Sequence, residues 1–492
     1  MASDATPTLG TATTRRKGFV LGILLLALLI GSGNLAHAAS ADDGFTEEEV
    51  RFESGDVTLH GTVLVPDQAS PERKSAIALV HGAGPHTRED YRAEAEAFAR
   101  EGSMTLIYDK RTEGYSQIDR SYKLLADDAF AAARTLRACP DVDLEAVGLW
   151  GLSEGGWVVP LAVNRSEGRD RAAFAVLVAA SGVPPAQQHS WNLENELRRQ
   201  GVSGSMLRAV PRTGTRLLVG AGVFAEANHD PVGPLEQVRQ PVLALWGEKD
   251  RIEPPAESAQ IVEEALERGG NTHYAIRFFP DAEHGLHASP DGFVVREQLA
   301  PGYPETVASW VKEIARGEAP GPSIAGPVPE QARPSRPVTP LAWWESGCVQ
   351  LGAVVVPVLA FASYPAVTFA RRLRRLLLRR SGTQPKPPAR RSARCLAVTG
   401  IAAVLGFVCY FGFLVFTAAS AVGPVVAGRP IPWLALQVLA VTVCVSTVLV
   451  ATASWWSAPR ALTGVERARI GVLLAGSVVF ATWAAYWGLL SP

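Results

Sequence analysis

Ser153 stands in Gly151-Leu152-Ser153-Glu154-Gly155, directly after an apolar run and ahead of a stretch with helical character. A serine hydroxyl is a weak nucleophile until a neighbouring base takes its proton. A sharp strand-to-helix turn exposes such a hydroxyl but crowds the backbone, so the flanking positions must lack bulk. Gly151 and Gly155 meet that demand, and Gly156 permits close packing of the helix that follows. A bare G-x-S-x-G occurs by chance in many chains; its strand–turn–helix context gives it weight here. Pro160 removes a helix hydrogen bond, which predicts a kink or a shortened first segment.

A nucleophile of this kind needs donors for the negative charge that develops on the substrate, a base, and an acid to orient the base. His81-Gly82-Ala83-Gly84-Pro85 directly follows the apolar strand ending Leu79-Val80. Its small residues can aim a backbone N–H at an oxyanion. The expected donors are the N–H groups of Ala83, to within one residue in the loop, and of Glu154, the residue after the serine. Asp250 closes Leu245-Trp-Gly-Glu-Lys-Asp and His284 lies in Phe279-Pro-Asp-Ala-Glu-His-Gly, each just past an apolar strand. His284 would accept the serine proton and pass it to the leaving group, while Asp250 would fix its tautomer. Glu248 and His287 are rivals for these two roles, and Asp250 with His284 fits the motif geometry better.

The elements that must bring these groups together follow from patterning. Residues 48–53 and 57–65 read as two short strands joined by Ser54-Gly55-Asp56. Apolar strands at 75–80, 104–108, 146–150, 172–180, 241–246 and 275–279 then alternate with helical stretches at 91–100, 123–138, from 155, 256–268 and 304–315. That alternation predicts an α/β domain over 45–317, a mostly parallel sheet covered on both faces. Residues 183–239 interrupt it with polar, helical sequence. They predict a cap over the C-terminal edge of the sheet, where open α/β sheets bind ligands.

The 492 residues exceed one ordinary core, and the near-neutral charge of −1 gives no electrostatic reason to expect nucleic acid. Cys139 is the only cysteine of the soluble part, so no disulfide framework and no C-x-x-C metal spacing arises there. Arg15-Arg16-Lys17, the apolar run 18–30 and Ala36-His37-Ala38 predict a signal peptide over 1–38, cleaved in preference to retained because the run is short for a bilayer. The Arg15-Arg16 pair hints at twin-arginine export, though the Leu-rich run favours the ordinary secretory route. Residues 318–340, rich in Pro, Gly, Ala and Ser, predict a semi-extended tether. Apolar stretches at 348–370, 396–419, 432–455 and 470–490 predict a four-helix transmembrane region over 341–492. Arg371, Arg372, Arg374, Arg375, Arg379, Arg380, Lys386, Arg390, Arg391 and Arg394 fill the first loop, and Arg460, Arg467 and Arg469 the third. The positive-inside rule puts both in the cytoplasm and the 45–317 domain outside, in agreement with the signal peptide. The basic loop could also hold anionic lipid head groups, but topology alone accounts for it.

Leu79-Val-His-Gly-Ala-Gly-Pro, Tyr108-Asp-Lys-Arg, Gly151-Leu-Ser-Glu-Gly-Gly-Trp and Gly247-Glu-Lys-Asp together resemble the α/β-hydrolase superfamily. The resemblance is nearest to bacterial esterases of the dienelactone-hydrolase or serine-aminopeptidase-like branch. The chain order Ser153, Asp250, His284 is the order of that superfamily. Relatives often carry glycine where Thr112 stands, a departure that reshapes a loop without removing a catalytic group. The resemblance implies ester, thioester or amide hydrolysis without a cofactor, and it leaves the four-span portion unassigned. Asp109, Lys110 and Arg111 could bind an anionic substrate, but charged groups on a half-buried loop more commonly pair with each other or with neighbours.

The leading expectation is a membrane-tethered, extracytoplasmic serine hydrolase, carboxylesterase-like, acting on a small-molecule ester or acyl substrate, with membrane lipid as its surroundings. One alternative keeps the triad for acyl transfer or peptide cleavage. Another makes the domain a non-catalytic ligand-binding receptor coupled to the membrane bundle, which leaves an intact Ser, Asp and His set without a purpose.

Overall fold

The computed structural model describes residues 44–67, 73–116, 118–165, 168–378, 390–456 and 463–492; the expected signal peptide over 1–38 lies outside them. Nine strands form one sheet: β1 (Phe45–Ser54), β2 (Val57–Pro66), β3 (Lys74–Val80), β4 (Met104–Tyr108), β5 (Val142–Leu152), β6 (Ala175–Val178), β7 (Val242–Gly247), β8 (Tyr274–Phe279) and β9 (Ser323–Ala325). Their spatial order is β1-β2-β4-β3-β5-β6-β7-β8-β9. β1 and β2 form the antiparallel hairpin anticipated at Ser54-Gly55-Asp56, β2 joins β4 antiparallel, and every other pair is parallel. Strands β3, β4, β6 and β7 are buried almost throughout, as parallel strands covered on both faces must be.

The helices are α1 (Arg92–Arg100), α2 (Tyr122–Arg137), α3 (Glu154–Arg165), α4 (Pro185–Arg199), α5 (Ser205–Arg208), α6 (Thr215–Gly220), α7 (Val232–Gln237), α8 (Pro255–Arg268) and α9 (Tyr303–Ala315). Helices α1 and α9 pack together on one face of the sheet, and α2, α3, α7 and α8 form a contiguous row on the other. Helix α3 runs through Pro160 to Arg165, so the expected shortening does not occur. Order along the sheet reverses at β3, which lies between β4 and β5. The loops leaving β3 and β5 therefore diverge, and the crevice between them is the natural place for a site.

Four long helices follow: α10 (Gly347–Leu377), α11 (Arg390–Phe416), α12 (Ile431–Trp456) and α13 (Gly464–Tyr486). All four are long and apolar enough to cross a membrane. Large apolar side chains such as Phe416, Leu376 and Val438 stand exposed on them, as lipid-facing residues would. The ends of α11 and α12 on one side are joined by a small hairpin, Val425–Val426 against Arg429–Pro430.

Two features depart from the sequence expectation. The 318–340 segment is not a free tether. It supplies β9 at the open edge of β8, the Glu330 N–H donates to the Glu248 carbonyl (2.9 Å), and Ser335 bonds the Glu257 carboxylate (2.9 Å). An unpaired parallel edge offers hydrogen bonds even to a Pro-rich segment wherever a few non-proline residues intervene. The cap, moreover, is not a module of the hydrolase-like domain alone. Leu197, Val202, Met206 and Val210 share one apolar core with Phe407, Trp433, Trp483 and Trp487 of the helical bundle. Ser203 donates to the Gly428 carbonyl (2.7 Å), Gln200 to that of Ala419 (2.7 Å), and Arg216 grips Glu345 with two bonds (2.8 and 2.6 Å).

Candidate active site

β5 ends at Leu152 and α3 begins at Glu154, leaving Ser153 alone in the turn at φ 56°, a left-handed conformation that costs a non-glycine residue energy. The surrounding structure enforces it. The Ser153 N–H donates to the Val178 carbonyl of β6 (2.9 Å), and the Ser153 carbonyl accepts from Gly156 (2.8 Å). A Cβ on Gly155 would lie 2.6 Å from the Val80 carbonyl oxygen, and one on Gly151 2.5 Å from that of Gly155. These contacts are the physical reason for glycine at both positions.

The turn after β7 carries Asp250, fully buried, and the turn after β8 carries His284. The structure joins them: His284 Nδ1 lies 2.9 Å from Asp250 Oδ2. The other Asp250 oxygen accepts the N–H groups of Ile252 (2.8 Å) and Glu253 (2.9 Å), so the carboxylate is fixed in orientation. The rivals are engaged elsewhere. Glu248 accepts the Asp281 N–H, and the two ring nitrogens of His287 face Glu94 (3.4 Å) and the Arg296 carbonyl (3.1 Å). Among the described residues no hydrogen bond links the Ser153 hydroxyl to the His284 ring. In structures without substrate such bonds are often long and tighten only in the reacting complex.

Burial alone favours the neutral His284 ring and pulls its pKa down, but the Asp250 charge and hydrogen bond outweigh it and push it up to about 9. Glu253 is buried beside this pair with neither carboxylate oxygen bonded, and burial holds it well above the ordinary carboxylate range. The Asp250 charge and hydrogen bond are the largest upward pulls on His284, with smaller ones from Glu253 and Glu283.

Ala83 is exposed in the loop after β3, and a Cβ on neighbouring Gly82 would lie 3.6 Å from the Ser153 Cβ, so loop and turn are adjacent. Among the described residues neither the Ala83 nor the Glu154 N–H has a hydrogen-bond acceptor. The first N–H of a helix has no intrahelical partner, which is why Glu154 is available. The Asp109-Lys110-Arg111 triplet is paired throughout: Asp109 with Arg88 (2.9 Å), Lys110 with Glu154 (2.7 Å) and Arg111 bidentate with Asp128 (2.6 Å). The Glu154 partnership escapes sequence reading, because nothing local couples residues 110 and 154.

A cleft of about 630 Å³ lies between α4 and the 329–333 segment, lined by Trp191, Arg251, Phe293 and Arg333 among others. It includes none of the candidate catalytic residues, and its arginines bond acidic partners, Arg251 with Glu330 and Arg333 with Glu194. Among the described residues no cluster of three or more His, Cys, Asp and Glu is placed to hold a metal ion.

No family model matches the chain. It is similar to a thiohydrolase of Aspergillus aculeatus, 30% identical over 118 residues, which are 23% of this chain; the match spans about a third, 35%, of that curated relative. Solved structures similar to it include a dienelactone hydrolase from Anabaena variabilis (19% identity, TM-score 0.35, covering 56% of this chain and 100% of the other). A 2,6-dihydroxy-pseudo-oxynicotine hydrolase (16%, 0.40, 56% and 71%) and an acylaminoacyl peptidase from Pyrococcus horikoshii (18%, 0.37, 49% and 38%) are also among them. By its own strand order, the sharp turn at Ser153 and the segment inserted between β6 and β7, the part of the chain that precedes the four apolar helices has the α/β-hydrolase fold.

Proposed function

We propose that the chain is a membrane-anchored serine hydrolase that cleaves an ester, thioester or amide through an acyl-enzyme. The observation that carries this reading is the 2.9 Å bond between His284 and a fully buried Asp250 at the sheet edge that also bears the strained Ser153 turn. In this reading neutral His284 takes the Ser153 proton as the oxygen attacks the substrate carbonyl. The N–H groups of Ala83 and Glu154 receive the developing oxyanion, and the resulting imidazolium protonates the leaving group. Water, deprotonated by the same ring, then releases the acid and restores Ser153. The similarity to a thiohydrolase supports a hydrolase and keeps thioesters among the candidate substrates.

The placement is also proposed. The ends of the bundle that meet the cap carry Glu345, the 417–430 connection and Pro492, whereas Arg371, Arg374, Arg391, Arg467 and Arg469 collect at the opposite ends. The positive-inside rule assigns the basic ends to the cytoplasm, hence the hydrolase-fold part to the extracytoplasmic face.

The test is Ser153→Ala in the full-length protein. Turnover of a p-nitrophenyl ester should vanish with the thermal unfolding midpoint retained, and a fluorophosphonate should label the wild-type protein at Ser153. Turnover that survives the substitution removes the nucleophile from the account.

A further inference from the structure

The Ala83 N–H belongs to the same peptide unit as the Gly82 carbonyl. A trans peptide is planar with N–H and C=O pointing in opposite directions, so whatever fixes the Gly82 oxygen also aims the Ala83 N–H. Lys110 Nζ fixes it, at 2.5 Å. The same ammonium donates to Glu154 Oε1 (2.7 Å) and to the Tyr115 hydroxyl (2.8 Å), which uses all three of its donors. The Tyr115 hydroxyl in turn accepts the Gly84 N–H (2.9 Å) and donates to Glu154 Oε1 (2.8 Å). Both neighbours of Ala83 are thus tied to one carboxylate, and that carboxylate belongs to the residue that offers the second candidate N–H.

We infer that Lys110 and Tyr115 are positioning residues which, with the Glu154 carboxylate, clamp the Ala83 and Glu154 N–H groups at a fixed separation and so pre-organise the oxyanion site. The inference rests on the hydrolase reading above. A carboxylate with no solvent exposure is costly unless its charge is matched and its oxygens are bonded. Arg120 meets the other Glu154 oxygen at 2.6 Å, so the charge has two cations about it, and Lys110 reaches past it to the loop backbone. Tyr91 completes the hold by accepting the Gly82 N–H at 2.8 Å. Oxyanion stabilisation depends on donors held in place before charge develops, which is what the bonds of Lys110 and Tyr115 to Glu154 and to the loop backbone provide.

The test uses full-length Tyr115→Phe and Lys110→Met, with active sites counted by fluorophosphonate titration. Per titrated site, kcat should fall about 10-fold in the first and about 100-fold in the second, with KM within about 2-fold of wild type. The inhibition constant of a trifluoromethyl ketone, which forms a tetrahedral oxyanion adduct with a serine, should weaken by the same factors. Tyr115→Phe removes one oxygen atom and keeps the ring, so it remains informative if Lys110→Met fails to fold. Unchanged kcat per site in Tyr115→Phe, or a change confined to KM, overturns the clamp. Turnover retained in Ser153→Ala overturns instead the hydrolase reading on which it rests.

Discussion

Replacing Asp250 by Asn should move the pH dependence of turnover in a direction that the structure dictates. In the native arrangement Asp250 is fully buried, one oxygen takes two backbone N–H groups and the other takes His284 at 2.9 Å. Burial by itself disfavours the imidazolium, yet the Asp250 charge and hydrogen bond outweigh it and bring the ring to about 9 from its ordinary 6.5. That difference amounts to about 3 kcal/mol in favour of the protonated ring. A base works only when neutral, so the acid limb of kcat/KM should rise through about pH 9 in the wild type, well above the range of an unperturbed histidine. In Asp250→Asn the burial remains and the largest upward pull is gone, so the limb should fall well below its wild-type position. The plateau should also drop. The Asn oxygen still faces the Ile252 and Glu253 N–H groups, which turns its NH2 toward His284 Nδ1 and forces the ring proton onto Nε2, the nitrogen that must accept from serine. A wrong tautomer of this kind costs about 10⁴-fold in rate. Ester turnover by the full-length protein from about pH 5 to about pH 10 reads both effects. A wild-type limb at or below 6.5, or an unshifted limb in the variant, refutes the pairing as the basis of catalysis.

Arg216→Ala should loosen the cap from the bundle, because it removes two bonds to buried Glu345 and those to the carbonyls of Thr339 and Pro340. The expected loss is about 1–3 kcal/mol, seen as a lower thermal unfolding midpoint and faster proteolysis within 183–239; wild-type behaviour in both assays counts against the coupling. In intact cells, added protease should reach the hydrolase-fold part and spare the segment between α10 and α11, and the opposite pattern reverses the proposed orientation.

Much of the fold was legible because its signals are local. The strands β3, β4, β7 and β8 fall within a residue of the apolar runs at 75–80, 104–108, 241–246 and 275–279, and α8 and α9 within a residue of 256–268 and 304–315. Asp250 and His284 could be singled out because each follows such a strand directly, at the edge where turns converge, and the structure pairs those two rather than Glu248 or His287. Strand β6 is shorter than the apolar run 172–180, since hydrophobicity reports burial and the ladder here needs only Ala175–Val178. What stayed hidden depends on distant partners. Three residues of β9 inside a Pro-rich segment carry no strand signal of their own; the open edge of β8 creates it. Lys110 and Glu154 meet only once β4 and α3 are placed, and each looks like an ordinary surface charge in the sequence.

The relation between cap and bundle changes how the two halves should be regarded. In sequence, residues 183–239 belong to the hydrolase domain and 341–492 to the membrane, with a tether between them. In the structure Leu197, Val202, Met206 and Val210 of the cap are buried in a core that the bundle completes with Phe407, Trp433, Trp483 and Trp487. Side chains of this size gain about 1.5–3 kcal/mol each from full burial, so four of them approach the whole stability of an average domain. A cap deprived of the bundle would expose a contiguous apolar patch of the kind soluble monomers avoid. The four helices are therefore part of what holds the 183–239 segment in shape. Any motion of the helix ends that meet Ser203, Gln200 or Arg216 acts on the cap directly, through bonded contacts rather than through a flexible linker.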